Sequence, residues 1–203
     1  MKVAIIDYGM CNLLSVKRAF EECGADSFIT TQPSELDEAT HIVLPGVGAF
    51  PDAMKMLTIN GWVPEIQKNA NLGIPILGIC LGMQLLAEWG EEGERTKGLG
   101  LIQGEVIRFD KSYQDRIPHV GWNELHQKQP HPLFEGLPDK ADFYFVHSYH
   151  FRVENHMDVL GTTPYCGGFV SVVNRQNIFG AQFHPEKSQR MGFKLIKNFL
   201  NYC

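Results

Sequence analysis

Pro75-Ile76-Leu77-Gly78-Ile79-Cys80-Leu81-Gly82-Met83-Gln84 is the stretch that governs how the rest of the chain is read. An apolar run of strand length enters Gly-x-Cys-x-Gly and leaves into Leu85, Leu86 and Ala87, which have helical character. That is the thiol form of a nucleophile elbow. The sharp strand-to-helix turn needs small residues on both sides of the nucleophile, because a Cβ at either glycine would crowd the crossing backbone, and the helix start lowers a thiol pKa. Taken alone, the same residues also describe a buried structural cysteine between packing glycines. A basic partner is needed to choose between these readings.

Outward from the elbow, the preceding chain alternates strands and helices. Strands are expected at Val3 to Ile6, Asp26 to Thr30, His41 to Leu44 and Ile74 to Ile79. A helix from Asn12 to Cys23 carries a stripe of Leu13, Leu14, Val16, Ala19 and Phe20 and stops at Gly24, and further helices follow Phe50 and span Trp62 to Ala70. Strands spaced by helices imply a parallel sheet covered on both faces. After Gly93 the segments turn β-rich without intervening helices: Leu99 to Phe109, Val120 to Leu125, Phe143 to Phe151, Phe169 to Asn174 and Ile178 to Phe183. They are expected to be antiparallel additions to the same sheet. A closing helix from Ser188 to Asn201, with Ser188 as its N-cap, buries Leu195, Ile196, Phe199 and Leu200. The expectation is one α/β domain over residues 1–203, a mostly parallel sheet with helices on both faces plus antiparallel β additions.

Composition narrows the function class. With 23 acidic against 18 basic residues and a net charge of −5, the chain lacks the excess of positive charge that nucleic-acid or anionic-membrane binding favours. The uncharged run from Asn69 to Ala87 is long enough to span a bilayer, but Asn69, Asn71, Gln84, Pro75 and three glycines exclude that reading. Asp7 interrupts the N-terminal apolar run before a secretory signal can develop, so a cytosolic location is expected. Cys11, Cys23, Cys80, Cys166 and Cys203 are odd in number and form no C-x-x-C pair, which argues for reduced thiols rather than a disulfide framework or zinc site.

The base is offered by His184, where the run Ile178 to Phe183 ends in His184-Pro185-Glu186. Pro185 biases His184 toward extended geometry, and residues two apart on an extended segment face the same way, so Glu186 is placed to hold the imidazole. Cys80, His184 and Glu186 then form a nucleophile, base and orienter. A third element, His41 to Phe50, ends a strand in Pro45-Gly46-Val47-Gly48. Peptide N–H groups there, with that of Leu81, are candidates for an oxyanion hole. The glycines also let a peptide turn its N–H away until an interface selects the productive conformer, so low activity of the isolated chain is expected. His147 and His150, at i and i+3 of a presumed strand, are expected to face opposite ways, and His126 and His131 to be solvated; no metal or other cofactor is expected.

With these motifs in place, the sequence resembles the class I glutamine amidotransferases, whose elbow reads G-x-C-x-G-x-Q and whose histidine lies in H-P-E. Ile6 to Met10, Leu44 to Phe50, Gly98 to Ile102, Pro118 to Asn123 and Tyr144 to Tyr149 are similar to segments of the family's glutaminase subunits from imidazole glycerol phosphate synthase, and the likeness spans essentially the whole chain. The resemblance implies a flavodoxin-like α/β fold and hydrolysis of glutamine by Cys80, His184 and Glu186. It implies that Gln84 and Glu92 hold the polar ends of glutamine, that the backbone of His147, Ser148 and Tyr149 closes the site, and that Val47, Gly48 and Leu81 supply or shape the oxyanion hole. It further implies a heterodimer with a cyclase (HisF-type) synthase subunit that receives the ammonia, with Asn12, His119, Trp122 and Lys187 toward that partner. Read as residues alone, Trp122 is equally a core aromatic, Asn12 a helix cap and Lys187 a solvated lysine.

One departure bears on the partner. The family usually reads D-Y-G-M-G-N where this chain has Asp7-Tyr8-Gly9-Met10-Cys11-Asn12. Thr162 to Val170 is similar to paralogues that serve sugar amidotransferases in surface-polysaccharide synthesis. That pathway, a free-standing cysteine hydrolase and a silent synthase-binding scaffold are the alternatives to a histidine-pathway glutaminase.

Overall fold

The structure, a computed structural model, describes residues 1–202; Cys203 lies outside the described residues. The elements in chain order are β1 (Lys2–Ile6), α1 (Leu13–Glu22), β2 (Asp26–Thr30), β3 (His41–Gly46), α2 (Phe50–Ile59), α3 (Trp62–Asn71), β4 (Ile76–Cys80), α4 (Leu81–Leu85), β5 (Trp89–Gly90) and β6 (Thr96–Lys97). They continue with β7 (Gly104–Arg108), β8 (His119–Gln127), β9 (Ala141–His147), β10 (Tyr149–Val153), β11 (Val159–Thr163), β12 (Phe169–Arg175), β13 (Ile178–Ala181) and α5 (Gln189–Leu200).

The strand order is β2-β1-β3-β4-β13-β12-β10-β7-β5-β6, and β8 and β9 attach as a hairpin through β11. The first five strands pair parallel, after which β12, β10 and β7 run antiparallel in succession. Alternation explains why the parallel half is buried on both faces. On β1, Val3 and Ile5 join the core under α1 and α5, while Ala4 and Ile6 join the core under α2 and α3. Trp62 and Phe50 fill the second layer, and Phe20, Phe179 and Phe199 meet edge to face in the first. This parallel sheet with helices on both faces and antiparallel additions is the expected fold class.

The antiparallel half departs from the expected boundaries. The run from Leu99 begins as a strand only at Gly104, and the segment Phe143 to Phe151 is two strands broken at Ser148. That break invalidates the parity argument for His147 and His150: both rings lie against Phe109, at centroid distances of 5.1 and 4.9 Å. Among the described residues no group of three His, Cys, Asp or Glu could hold a metal. The short strands β5 and β6, and β11, had no alternating pattern strong enough to announce them. His131 is not simply solvated, since its Nδ1 accepts from Leu133 N–H at 3.1 Å. Ser188 makes no capping bond to α5; its hydroxyl donates to the His184 carbonyl at 2.6 Å and accepts from Tyr144 N–H at 3.0 Å.

Candidate active site

Cys80 closes β4 at φ 55° and ψ −110°, a backbone conformation rarely adopted by a non-glycine residue. Both flanking glycines are required. A Cβ on Gly78 would stand 2.5 Å from the Gly82 carbonyl oxygen, and one on Gly82 would overlap the Leu44 carbonyl oxygen of the neighbouring strand. Strain of this kind costs about 1–3 kcal/mol and persists only where surrounding packing enforces it. α4 behind the elbow is only five residues long.

His184 follows the end of β13 and is fixed from both sides: its N–H donates to the Tyr144 carbonyl at 2.9 Å, and its own carbonyl receives Ser188 Oγ. Its Nδ1 lies 2.8 Å from Glu186 Oε1, with both side chains almost wholly buried. Because a carboxylate accepts, Nδ1 carries the proton and Nε2 is the atom left for chemistry. Burial opposes charge on this ring, but Cys80 and Glu186 outweigh it and raise its pKa well above the ordinary imidazole range.

A cavity of about 320 Å³ is lined by Cys80, His184, Val47, Gly48, Leu81, Gln84, Glu92 and the segment Val146 to Tyr149. It therefore gathers the residues singled out above for catalysis and substrate, apart from Glu186, which sits behind His184. Gln84 uses its Nε2 on the Tyr149 carbonyl at 2.9 Å and on Gln182 Oε1 at 3.0 Å, which leaves Oε1 as the acceptor its amide can offer a ligand. Glu92 is shared: Oε2 accepts from Phe50 N–H at 2.8 Å, at the start of α2. Val47 lines the cavity, but its N–H donates to the Met10 carbonyl at 2.9 Å and is not offered to an oxyanion in this conformer. Gly48 sits at φ 104°, where a Cβ would come within 2.7 Å of Met10 Cε.

The four residues expected at a partner surface divide. Asn12 and Lys187 are exposed, and Asn12 makes no capping hydrogen bond. Trp122 is 48% exposed and is not a core residue. His119, only 3% exposed, faces inward and stacks on Tyr165 at a centroid distance of 3.9 Å, so it presents no side chain to a partner. Cross-strand pairs Val120 with Val146 and Trp122 with Tyr144 form the outer face of the β8–β9 hairpin, and Val146 also lines the cavity. Cys11, the departure from the family pattern, donates its thiol to the Pro45 carbonyl at 3.4 Å, and burial pushes its pKa up to about 12.

The residues not anticipated are Gln182, Ser188 and Asn123. Gln182 is wholly buried, with Nε2 3.9 Å from Cys80 Sγ. Its position two before His184 on an extended segment was the available signal.

The profile described as glutamine amidotransferase class-I matches residues 4–202, and the chain belongs to that family. Within it, the chain is 49% identical over 197 residues to the imidazole glycerol phosphate synthase subunit HisH of Desulfitobacterium hafniense strain Y51, covering 97% of this chain and 92% of the relative. It is 48% identical to HisH of Moorella thermoacetica, covering 97% and 93%, and 45% identical to HisH 1 of Campylobacter jejuni strain RM1221, covering 98% of each. The fold is shared with PurLQS from Thermotoga maritima at a TM-score of 0.79 and 21% identity, covering 99% and 98% of the two chains. The HisH relatives support the histidine-pathway reading, and the surface-polysaccharide alternative is not favoured.

Proposed function

We propose that Cys80, His184 and Glu186 hydrolyse glutamine, as the glutaminase subunit of imidazole glycerol phosphate synthase in histidine biosynthesis. The observation that carries this reading is the convergence, on one cavity, of a strained cysteine, a glutamate-oriented imidazole and the amide and carboxylate of Gln84 and Glu92. Cys80 sulfur, its proton held by His184, attacks the carboxamide carbon. His184 Nε2 then donates the proton to the amide nitrogen, the C–N bond breaks and ammonia leaves a γ-glutamyl thioester on Cys80. His184 next deprotonates water, which attacks the thioester carbon, and the C–S bond breaks to give glutamate and return the sulfur. N–H groups near Leu81 and Gly48 stabilise each oxyanion, and Val47 joins them once its bond to Met10 is released. The role is assigned to the cytosol, in keeping with free thiols at Cys11, Cys23, Cys80 and Cys166.

The partner is taken to be a cyclase (HisF-type) subunit that docks on the rim bearing Trp122, Asn12 and Lys187 and receives the ammonia. Active sites of open α/β sheets lie beyond the carboxyl ends of their strands, and Cys80 and His184 both do so here. The test is glutamine turnover with and without that subunit and its acceptor. Cys80→Ser is expected to abolish hydrolysis while keeping the fold and partner binding, and wild-type turnover should rise when the partner is loaded. Normal turnover by the Cys80→Ser protein would overturn the nucleophile; equal wild-type rates in both states would overturn only the gating at Val47.

A further inference from the structure

The mechanism above leaves unused a line of hydrogen bonds that runs from the β8 strand to the nucleophile. Asn123 Nδ2 lies 3.2 Å from His119 Nε2, His119 Nδ1 lies 3.1 Å from His147 Nε2, and His147 Nδ1 lies 2.8 Å from the Tyr149 carbonyl oxygen. The same carbonyl accepts from Gln84 Nε2, which also reaches Gln182 Oε1, and Gln182 Nε2 points at Cys80 Sγ. A carbonyl can only accept, and this fixes every proton upstream. His147 must be protonated on Nδ1, its Nε2 must accept from His119 Nδ1–H, and His119 Nε2 must accept from the Asn123 amide. Both rings are interior, and burial lowers their pKa values, to about 4 for His119 and about 3 for His147, so the neutral forms this arrangement needs are the forms present near neutral pH.

We propose that His119 is a positioning residue for glutamine: acting through His147, it fixes the Tyr149 carbonyl and thereby the direction in which the Gln84 amide faces the cavity. The proposal rests on the glutaminase reading given above. Without the His119 donor, His147 stays packed among Phe109, Phe145 and Phe169 but its Nε2 is left unpaired, and the ring can tilt off the Tyr149 carbonyl to seek another donor. The Tyr149 carbonyl then loses one of its two donors, and Gln84 can rotate away from the orientation that exposes Oε1. Buried polar networks of this kind act as a unit, since one unsatisfied member disturbs the rest. His119 touches no substrate, so its removal should affect recognition rather than the reactivity of Cys80.

His119→Phe keeps the ring stacked on Tyr165 and Phe145 but removes the donor, whereas His119→Asn places an amide N–H where Nδ1 stood. In the full chain, labelling of Cys80 by a glutamine-analogue electrophile reads recognition and reactivity together, and labelling by iodoacetamide reads reactivity alone. His119→Phe should raise the half-saturating analogue concentration about tenfold, the scale of one lost buried hydrogen bond, while its iodoacetamide rate stays within about twofold of wild type. His119→Asn should restore most of the analogue affinity. Asn123→Leu, at the half-buried outer end of the line, should shift it in the same direction by about two- to threefold and serves if His119→Phe does not fold.

Unchanged half-saturation in His119→Phe, equal impairment in the Phe and Asn variants, or parallel loss with both reagents would overturn the positioning role. Wild-type protein that reacts with iodoacetamide but shows no saturable labelling by the analogue, either alone or with the synthase subunit bound, would overturn the glutaminase reading, and this role with it.

Discussion

Around Cys80 the chain is held by close backbone packing, whereas around His147 it is held by hydrogen bonds between side chains. In the parallel half, α4 comes so near β3 at the elbow that Gly82 has no room for a methyl group beside the Leu44 carbonyl. In the antiparallel half, two buried histidines are linked to a half-buried asparagine beside a strand break at Ser148. The first arrangement has a single geometry, because interiors packed to crystal density do not deform gradually. The second depends on proton positions and donor directions, and can therefore respond to its surroundings. The Cys80 sulfur belongs to the rigid half, which also brings Val47, Gly48, Leu81 and Gln84 to the cavity, while the adjustable half brings Val146 to Tyr149.

The comparison can be broken most decisively at the point where the two halves meet, His184. Replacing it with alanine should lower glutamine turnover by about 10³-fold or more, since it removes both the base and the acid. Glu186→Gln should do much less, because a hydrogen-bonding orienter remains. Steady-state kinetics on both variants separates the roles, and equal losses would mean that Glu186 does more than orient the ring.

Next in size is Gly82→Ala, expected to destabilise the protein by about 3 kcal/mol, since the added Cβ meets backbone rather than a movable side chain. Denaturant unfolding measures it, and a cost below about 1 kcal/mol would show that the elbow yields more than its packing indicates. Trp122→Ala probes the outer face of the adjustable half. It should weaken partner affinity by about 2 kcal/mol, as for an aromatic hot spot, with the melting temperature of the free chain unchanged.

The last test is a dependence on acid, spread over three groups rather than set by one substitution. His119, His147 and His150 are all buried enough to have depressed pKa values, about 4, 3 and 4 respectively. Neutral in the folded chain, each takes up a proton on unfolding once the pH is below the ordinary value near 6.5. Their stabilising contribution is therefore complete above about pH 6.5 and declines as pH falls toward 4 and 3, with a slope of about 1.4 kcal/mol per pH unit for each group. Urea unfolding at pH 7, 6 and 5 should show the decline, and Cys80 labelling over the same range shows whether the elbow stays rigid as the histidine side loosens.

The same contrast explains what could be read in the sequence. Strand ends, glycines and the Cys80, His184 and Glu186 spacing are local features, and the parallel half followed from them with small shifts in boundary. The elbow glycines were legible because their need arises within a few residues of chain. His119 was misread as a partner-facing residue because its orientation is set by Tyr165, Phe145 and His147, which approach from distant segments. Ser188 looked like a cap because serine before a helix usually is one, and only the proximity of Tyr144 reveals that it braces His184 instead. Gln182 carried a parity signal, but nothing local distinguished it from a core polar residue.

Val146 separates the nucleophile from the outside by a single strand: its carbonyl oxygen lies 3.9 Å from Cys80 Sγ, and its side chain forms part of the exposed face beside Val120. On the proposed function, ammonia released at Cys80 and passed to a partner docked on that face has only that thickness to cross. Efficiency is then a question of leakage at a seam rather than of speed along a path. It is measured by stoichiometry: glutamate formed per molecule of aminated product stays at one while the seam is sealed, and rises above one when substitution at Val146 opens it, whatever happens to the rate.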